Sequence, residues 1–174
     1  MIYFKFEAFG KPAFAREFRH PGMPNIKDLR PAFEKIEKDF YKIEKEQFQT
    51  EGARGGAAWK PLTVRTIAIK DYMMRTRQAV SLKPLIRTGR MWAALTQAGS
   101  TSGKIRRVGP LEMELGTSVF YAIKHHEGQD GLSQREVIAL TSADPKRWTN
   151  ILQAEINKRI REAGTGTPAG SRFD

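Results

Sequence analysis

Cysteine is missing from all 174 residues, which excludes a disulfide framework, a thiolate nucleophile and zinc held by thiolates. A continuous apolar run is missing too. The opening stretch Met1-Ile2-Tyr3-Phe4-Lys5-Phe6-Glu7 breaks its apolar residues with charges, so neither a signal peptide nor a membrane span is expected there, and a soluble intracellular origin is. The chain contains no Walker A loop, no strand-linked Gly-x-Gly-x-x-Gly, no His-Glu-x-x-His and no Gly-x-Ser-x-Gly. Gly99-Ser100-Thr101-Ser102-Gly103 carries threonine at its centre and has the composition of an exposed loop. No internal repeat is present, which argues against a solenoid. His125 and His126 are neighbours whose side chains point in different directions on any regular element, with His20 alone left to complete a triad. No metal, cofactor or catalytic residue is assigned, and the chain reads as a non-enzyme.

Positive charge is abundant. Thirty Lys and Arg against nineteen Asp and Glu leave a formal net charge of +11 and a pI near 10.1, which suits an acidic partner, either nucleic acid or an acidic protein. The basic clusters are spread along the sequence, and no groove-matched recognition element with interleaved aromatics is visible. Lys104, Arg106 and Arg107 are the residues assigned to any non-specific nucleic-acid contact.

The length fits one domain, taken as residues 1–163, followed by a flexible tail over 164–174. Ile2, Phe4, Phe6 and Ala8 alternate with polar residues as in a half-buried strand. An irregular connection carrying Phe14 and Phe18 is expected between Gly10 and Pro24. Ile26, Leu29, Phe33, Ile36, Phe40 and Ile43 then fall three and four apart on one stripe of a long helix, with Asp28 capping it, Pro31 in its first turn and Gly52 ending the pattern. The small, flexible stretch 52–58 precedes Trp59-Lys60-Pro61-Leu62, a bulky anchor on a mobile loop, and Thr63 or Thr66 opens a short helix. Residues 78–84 read as a linker. Thr88 is the expected N-cap of a helix burying Met91, Trp92 and Leu95. Lys104–Val108 and Leu111–Leu115 form a hairpin in which Lys104, Arg106 and Arg107 approach the acids of the facing arm. Val137–Leu140 has the length and boundaries of a buried strand. Asp144 and Pro145 start a final helix bearing Trp148, Ile151, Leu152, Ile156 and Ile160. The architecture expected is α+β: a small, mostly antiparallel sheet packed against one long N-terminal helix and a C-terminal helix.

From Phe48 to Leu140 an ordered set of pieces emerges. It runs through Phe48 with Glu51-Gly52, Trp59-Lys60-Pro61-Leu62, Thr66, Lys70 and Leu85-Ile86-Arg87-Thr88-Gly89-Arg90-Met91-Trp92. It continues with Val108-Gly109, Leu115-Gly116-Thr117, Tyr121-Ala122-Ile123-Lys124-His125-His126-Glu127-Gly128 and Arg135-Glu136-Val137-Ile138. This order resembles the phage virion morphogenesis or tail-completion family, akin to phage neck components. Glu136 and Val137 depart from it, standing where that family has proline and an aromatic residue. The resemblance implies a structural protein of the virion, assembled in the host cytoplasm, that completes the head-proximal end of a tail and supports head–tail joining. Its implied partners are tail terminator, tail tube or neck and connector proteins in a ring-symmetric assembly. The residues it assigns to partner binding are Trp59, Lys60, Pro61, Leu62, Thr66, Lys70, Tyr121, His125, Gly128 and Arg135. The alternative is a basic protein that binds or guides DNA without sequence preference.

Overall fold

A computed structural model of the chain describes residues 1–7 and 28–164. The expected connection from Gly10 to Pro24 and all but the first residue of the expected tail lie outside those residues. In chain order the elements are β1 (Ile2–Glu7), α1 (Arg30–Gln49), α2 (Val64–Arg75), α3 (Arg90–Thr96), β2 (Lys104–Val108), β3 (Glu112–Thr117), α4 (Phe120–Glu127) and α5 (Ala143–Gly164), with a single 3₁₀ turn at Ala53–Gly55. The fold is α+β, and its sheet is antiparallel throughout, in the order β1-β3-β2.

The apolar stripe of α1 forms the middle of the core. Phe33, Ile36 and Phe40 are wholly buried, with Leu29 just before them and Phe48 at the far end. On one side the stripe meets Trp148 and Leu152 of α5; on the other it meets Met91 and Leu95 of α3, which lies on the inner sheet residues Met113 and Leu115. Burying a large side chain of this kind contributes about 1.5–3 kcal/mol, so this three-layer contact dominates the apolar stabilisation. Asp28 accepts from the backbone N–H of Arg30 and from its guanidinium, while Leu29 occupies the N-cap without a side-chain bond.

Other expectations need correction. Gly89, at φ +78, is the N-cap of α3, and Thr88 lies one residue too early. Trp92 is half-buried where full burial was expected. Asp144 sits inside the first turn of α5 and reaches back to accept from the backbone N–H and hydroxyl of Thr141, so the cap lies earlier than the sequence suggested. In the hairpin, Arg107 pairs with Glu114 at 2.8 Å as expected, but Arg106 turns to Glu37 of α1 at 2.7 Å and Lys104 to the carbonyl of Ala98.

Val137–Leu140 is buried but is not a strand. Side chains satisfy its backbone in place of a neighbouring strand. Glu136 C=O accepts from Gln47 Nε2 (3.1 Å) and Trp59 Nε1 (3.0 Å), Val137 N–H donates to His126 Nδ1 (3.1 Å), and Ala139 C=O accepts from Arg54 (3.2 Å). Buried backbone groups must be paired, and here those pairs come from side chains of three different parts of the chain. The third strand of the sheet is β1. Its approach to β3 depends on Gly116, where an added Cβ would stand 2.3 Å from the carbonyl oxygen of Ile2.

Candidate functional site: a basic, apolar-floored cleft

Trp59 fixes the segment that follows α1. Its ring is 5% exposed and packs edge-on against Phe48 at 5.3 Å. Gly52, at φ +93, lets the chain pass beneath the ring, since a Cβ there would lie 2.4 Å from the indole. Trp59 is thus an anchor to the protein's own core, and it holds Lys60 and Pro61 outward on the surface.

Beyond this anchor Thr63 caps α2, accepting from the N–H of Thr66. Of the twelve residues in α2 only Lys70 is buried. Its ammonium donates to the carbonyls of Lys83 (2.5 Å) and Ile86 (2.9 Å), tying the helix to the following loop. Leu85 in that loop holds a left-handed backbone at φ +60, a conformation that costs a branched residue of order 1 kcal/mol and persists only when its surroundings impose it. Across the gap, Arg135 donates twice to Lys60 C=O (3.1 and 2.8 Å), and its own N–H donates to His125 C=O of α4 (2.7 Å).

Between these parts lies a cleft of about 920 Å³. Leu62, Thr66, Lys70, Tyr121, His125 and Arg135, six of the ten residues assigned to partner binding, line it together. Trp59 and Lys60 support its wall through the bonds just described. Pro61 and Gly128 are not in its lining; Pro61 is exposed, and Gly128, at φ +73, is the C-cap of α4. Ile69, Met73, Ile86, Arg87, Arg90 and Phe120, which the sequence did not assign to partner binding, also line the cleft. The signal was the poor striping of α2: a helix apolar on several sides has a second surface to cover.

The cleft is electrically one-sided. Lys70, Arg87, Arg90, His125 and Arg135 line it, and no Asp or Glu does so among the described residues. Burial pushes the Lys70 ammonium below its usual range, and the neighbouring Arg135 and Arg87 add to this; burial and then Arg135 lower His125 in the same way. Burial also lowers Arg135. His125 Nδ1 is buried with no hydrogen-bond partner among the described residues. The stretch 59–103 carries eight Lys and Arg against Asp71 alone, a net +7 of the chain's +11. Of these eight cations Lys70, Arg87 and Arg90 line the cleft.

Lys104, Arg106 and Arg107 lie elsewhere, on β2. Two are in ion pairs with Glu37 and Glu114, and the Lys104 ammonium stands 4.7 Å from the centre of the Tyr41 ring. All three are therefore engaged within the molecule. Among the described residues no cluster of three His, Cys, Asp or Glu is placed to hold a metal, and no helix is long and apolar enough to cross a membrane. Comparison with family models, curated proteins and solved structures returns no match.

Proposed function

We propose that the chain is a structural virion protein that completes the head-proximal end of a phage or phage-like tail and supports head–tail joining by binding, without turnover. The observation that carries this reading is the convergence of the assigned residues on one cleft whose surroundings are left uncovered. Val64 is 85% exposed, Tyr72 66% and Phe120 72%, with Ile67, Ile69 and Met74 also open to solvent. Ile69 and Phe120 line the cleft itself, while the others sit on further sides of α2; large apolar side chains left open in such number suit a surface that another protein covers. Leu62, Ile69 and Phe120 would meet a tail terminator, tube or connector subunit, with several copies arranged by the symmetry of the ring.

Production of virions without this chain tests the reading. Filled heads beside unattached tails are expected, and normal infectious particles would refute it. The concentration of charge on 59–103 gives the DNA-binding alternative its own support. That alternative requires retardation of random duplex DNA with a steep salt dependence.

A further inference from the structure

We infer that the cleft takes an acidic peptide segment of a partner protein, with its apolar side chains on the floor and its carboxylates facing Arg87, Arg90 and Arg135. This inference rests on the docking reading above and names the chemistry of the occupant.

Complementarity of charge is the first argument. Arg87 and Arg90 are exposed, and neither guanidinium has a carboxylate within ion-pair distance among the described residues. By comparison, Arg106 and Arg107 on β2 and Arg147 and Arg159 on α5 all reach Glu or Asp. Among the described residues, then, two guanidinium groups that line the cleft stand without a carboxylate partner. Planar guanidinium groups bind carboxylates through paired, charge-assisted hydrogen bonds.

The floor supplies the second argument. Ile69, Met73, Leu85 and Ile86 share the lining with the cations, so an occupant that fills the cleft must bring apolar groups as well as negative charge. A nucleic-acid duplex is convex and carries its phosphates on the outside; it would meet the rim cations and leave this floor in water. A peptide segment alternates both kinds of group and enters a concavity. Its backbone also finds partners: Ser100 and Ser102 line the cleft, and neither hydroxyl has a hydrogen bond within the molecule among the described residues. The volume lies near the top of the range, about 300–1,000 Å³, that encloses a compact ligand, which suits a short segment with one or two large side chains.

The test pans a displayed library of random peptides, about twelve residues long, against the full chain and against R87E/R90E, both confirmed folded by circular dichroism. Selected peptides are expected to carry net negative charge together with aromatic or aliphatic residues, and to lose about tenfold or more in affinity on R87E/R90E, a change of about 1.4 kcal/mol or more. An Ile69→Asp variant, altered at a half-exposed position, should weaken the same peptides and thereby report the floor separately from the rim. Selection of neutral or basic peptides, no enrichment at all, equal binding to R87E/R90E, or displacement of the peptide by an equal concentration of random duplex DNA would each overturn the inference. The two readings fail separately. Heads and tails that stay apart without the chain, combined with no acidic selection, sink only the occupant. Normal particles without the chain, combined with acidic selection, sink only the tail role.

Discussion

Glu44 should respond to pH in the sense opposite to most carboxylates, and Glu44→Gln isolates that response. Its side chain on α1 is wholly buried, and neither carboxyl oxygen has a hydrogen-bond partner among the described residues. Burial pushes the carboxyl well above the usual range; Arg54 pulls it down and Asp144 adds to the rise. The folded chain therefore keeps a proton that the unfolded chain releases at an ordinary glutamate pKa. With the folded value raised, the contribution to stability is full below the unfolded value and is lost as pH climbs toward the folded one, at about 1.4 kcal/mol per pH unit. Glutamine has nearly the same shape and no such proton. Wild type and variant should match near pH 4.5, and the variant should lead near pH 7.5 by about 1–4 kcal/mol, the upper end being that slope sustained over the whole interval. For a chain of this length each kcal/mol raises Tm by about 2–4 °C. His125 contributes a slope of the other sign, because its lowered value means stability is complete above the unfolded histidine pKa and falls on acidification. That slope is common to both proteins and cancels in their difference. Urea titrations at several pH values, followed by tryptophan emission from the buried Trp59 and Trp148, measure the gap. A variant no more stable than wild type near pH 7.5, or less stable, would refute the reasoning and show Glu44 ionised and paired.

Asp144→Asn removes the carboxylate that receives Arg54 at 2.7 and 2.9 Å, leaving a guanidinium that is 12% exposed with the more exposed Glu46, at 3.3 Å, as its remaining charge partner; a loss of about 1.5–3 kcal/mol in urea-unfolding stability is expected. The same pair gives a pH signature: burial raises Asp144, but hydrogen bonds from Arg54, Thr141 and Arg147 outweigh it and hold the carboxyl below its usual range. Its stabilising share is present above the unfolded aspartate pKa and disappears as pH falls through the folded one, a slope that Asp144→Asn should abolish. Lys70→Met frees the carbonyls of Lys83 and Ile86, so hydrogen exchange should accelerate across 64–86 while amides in α1 and α5 stay protected; unchanged exchange would show that Lys70 does not pin the helix. Trp59→Phe keeps an aromatic ring on Phe48 but deletes the donor to Glu136 C=O, and should cost about 1–3 kcal/mol by leaving that carbonyl with Gln47 alone.

Long, strongly periodic segments were legible before any coordinates. Phe33, Ile36 and Phe40 repeat at helical spacing because that face is covered along its whole length, and the paired arms around Gly109-Pro110 alternate because one face of the hairpin is wet. Val137–Leu140 misled because composition reports burial and β-branching, whereas a strand also needs a neighbouring strand; here Gln47, Trp59, His126 and Arg54 take the neighbour's place, from positions up to 89 residues away. α4 went unassigned since Phe120, Tyr121 and Ile123 are equally at home in a strand, and only Ala122 among them is buried with its helical neighbours. At the cleft, six of the residues assigned to partner binding proved to be neighbours in space, and Arg87 and Arg90, quoted for their order but assigned no role, line the same cleft. Arg87 and Arg90 look like any solvated cations until the fold shows them lining the cleft with no carboxylate at ion-pair distance among the described residues.

Two copies of the chain that met through the region built by 59–103 would press like charges together, with a net +7 on each side. At physiological ionic strength this repulsion reaches only about 8 Å, too short to keep molecules apart in solution but long enough to forbid that particular handshake. If the chain works in a joint as proposed, copies would have to meet through other faces, and this one would stay vacant until a neighbour of opposite sign arrived.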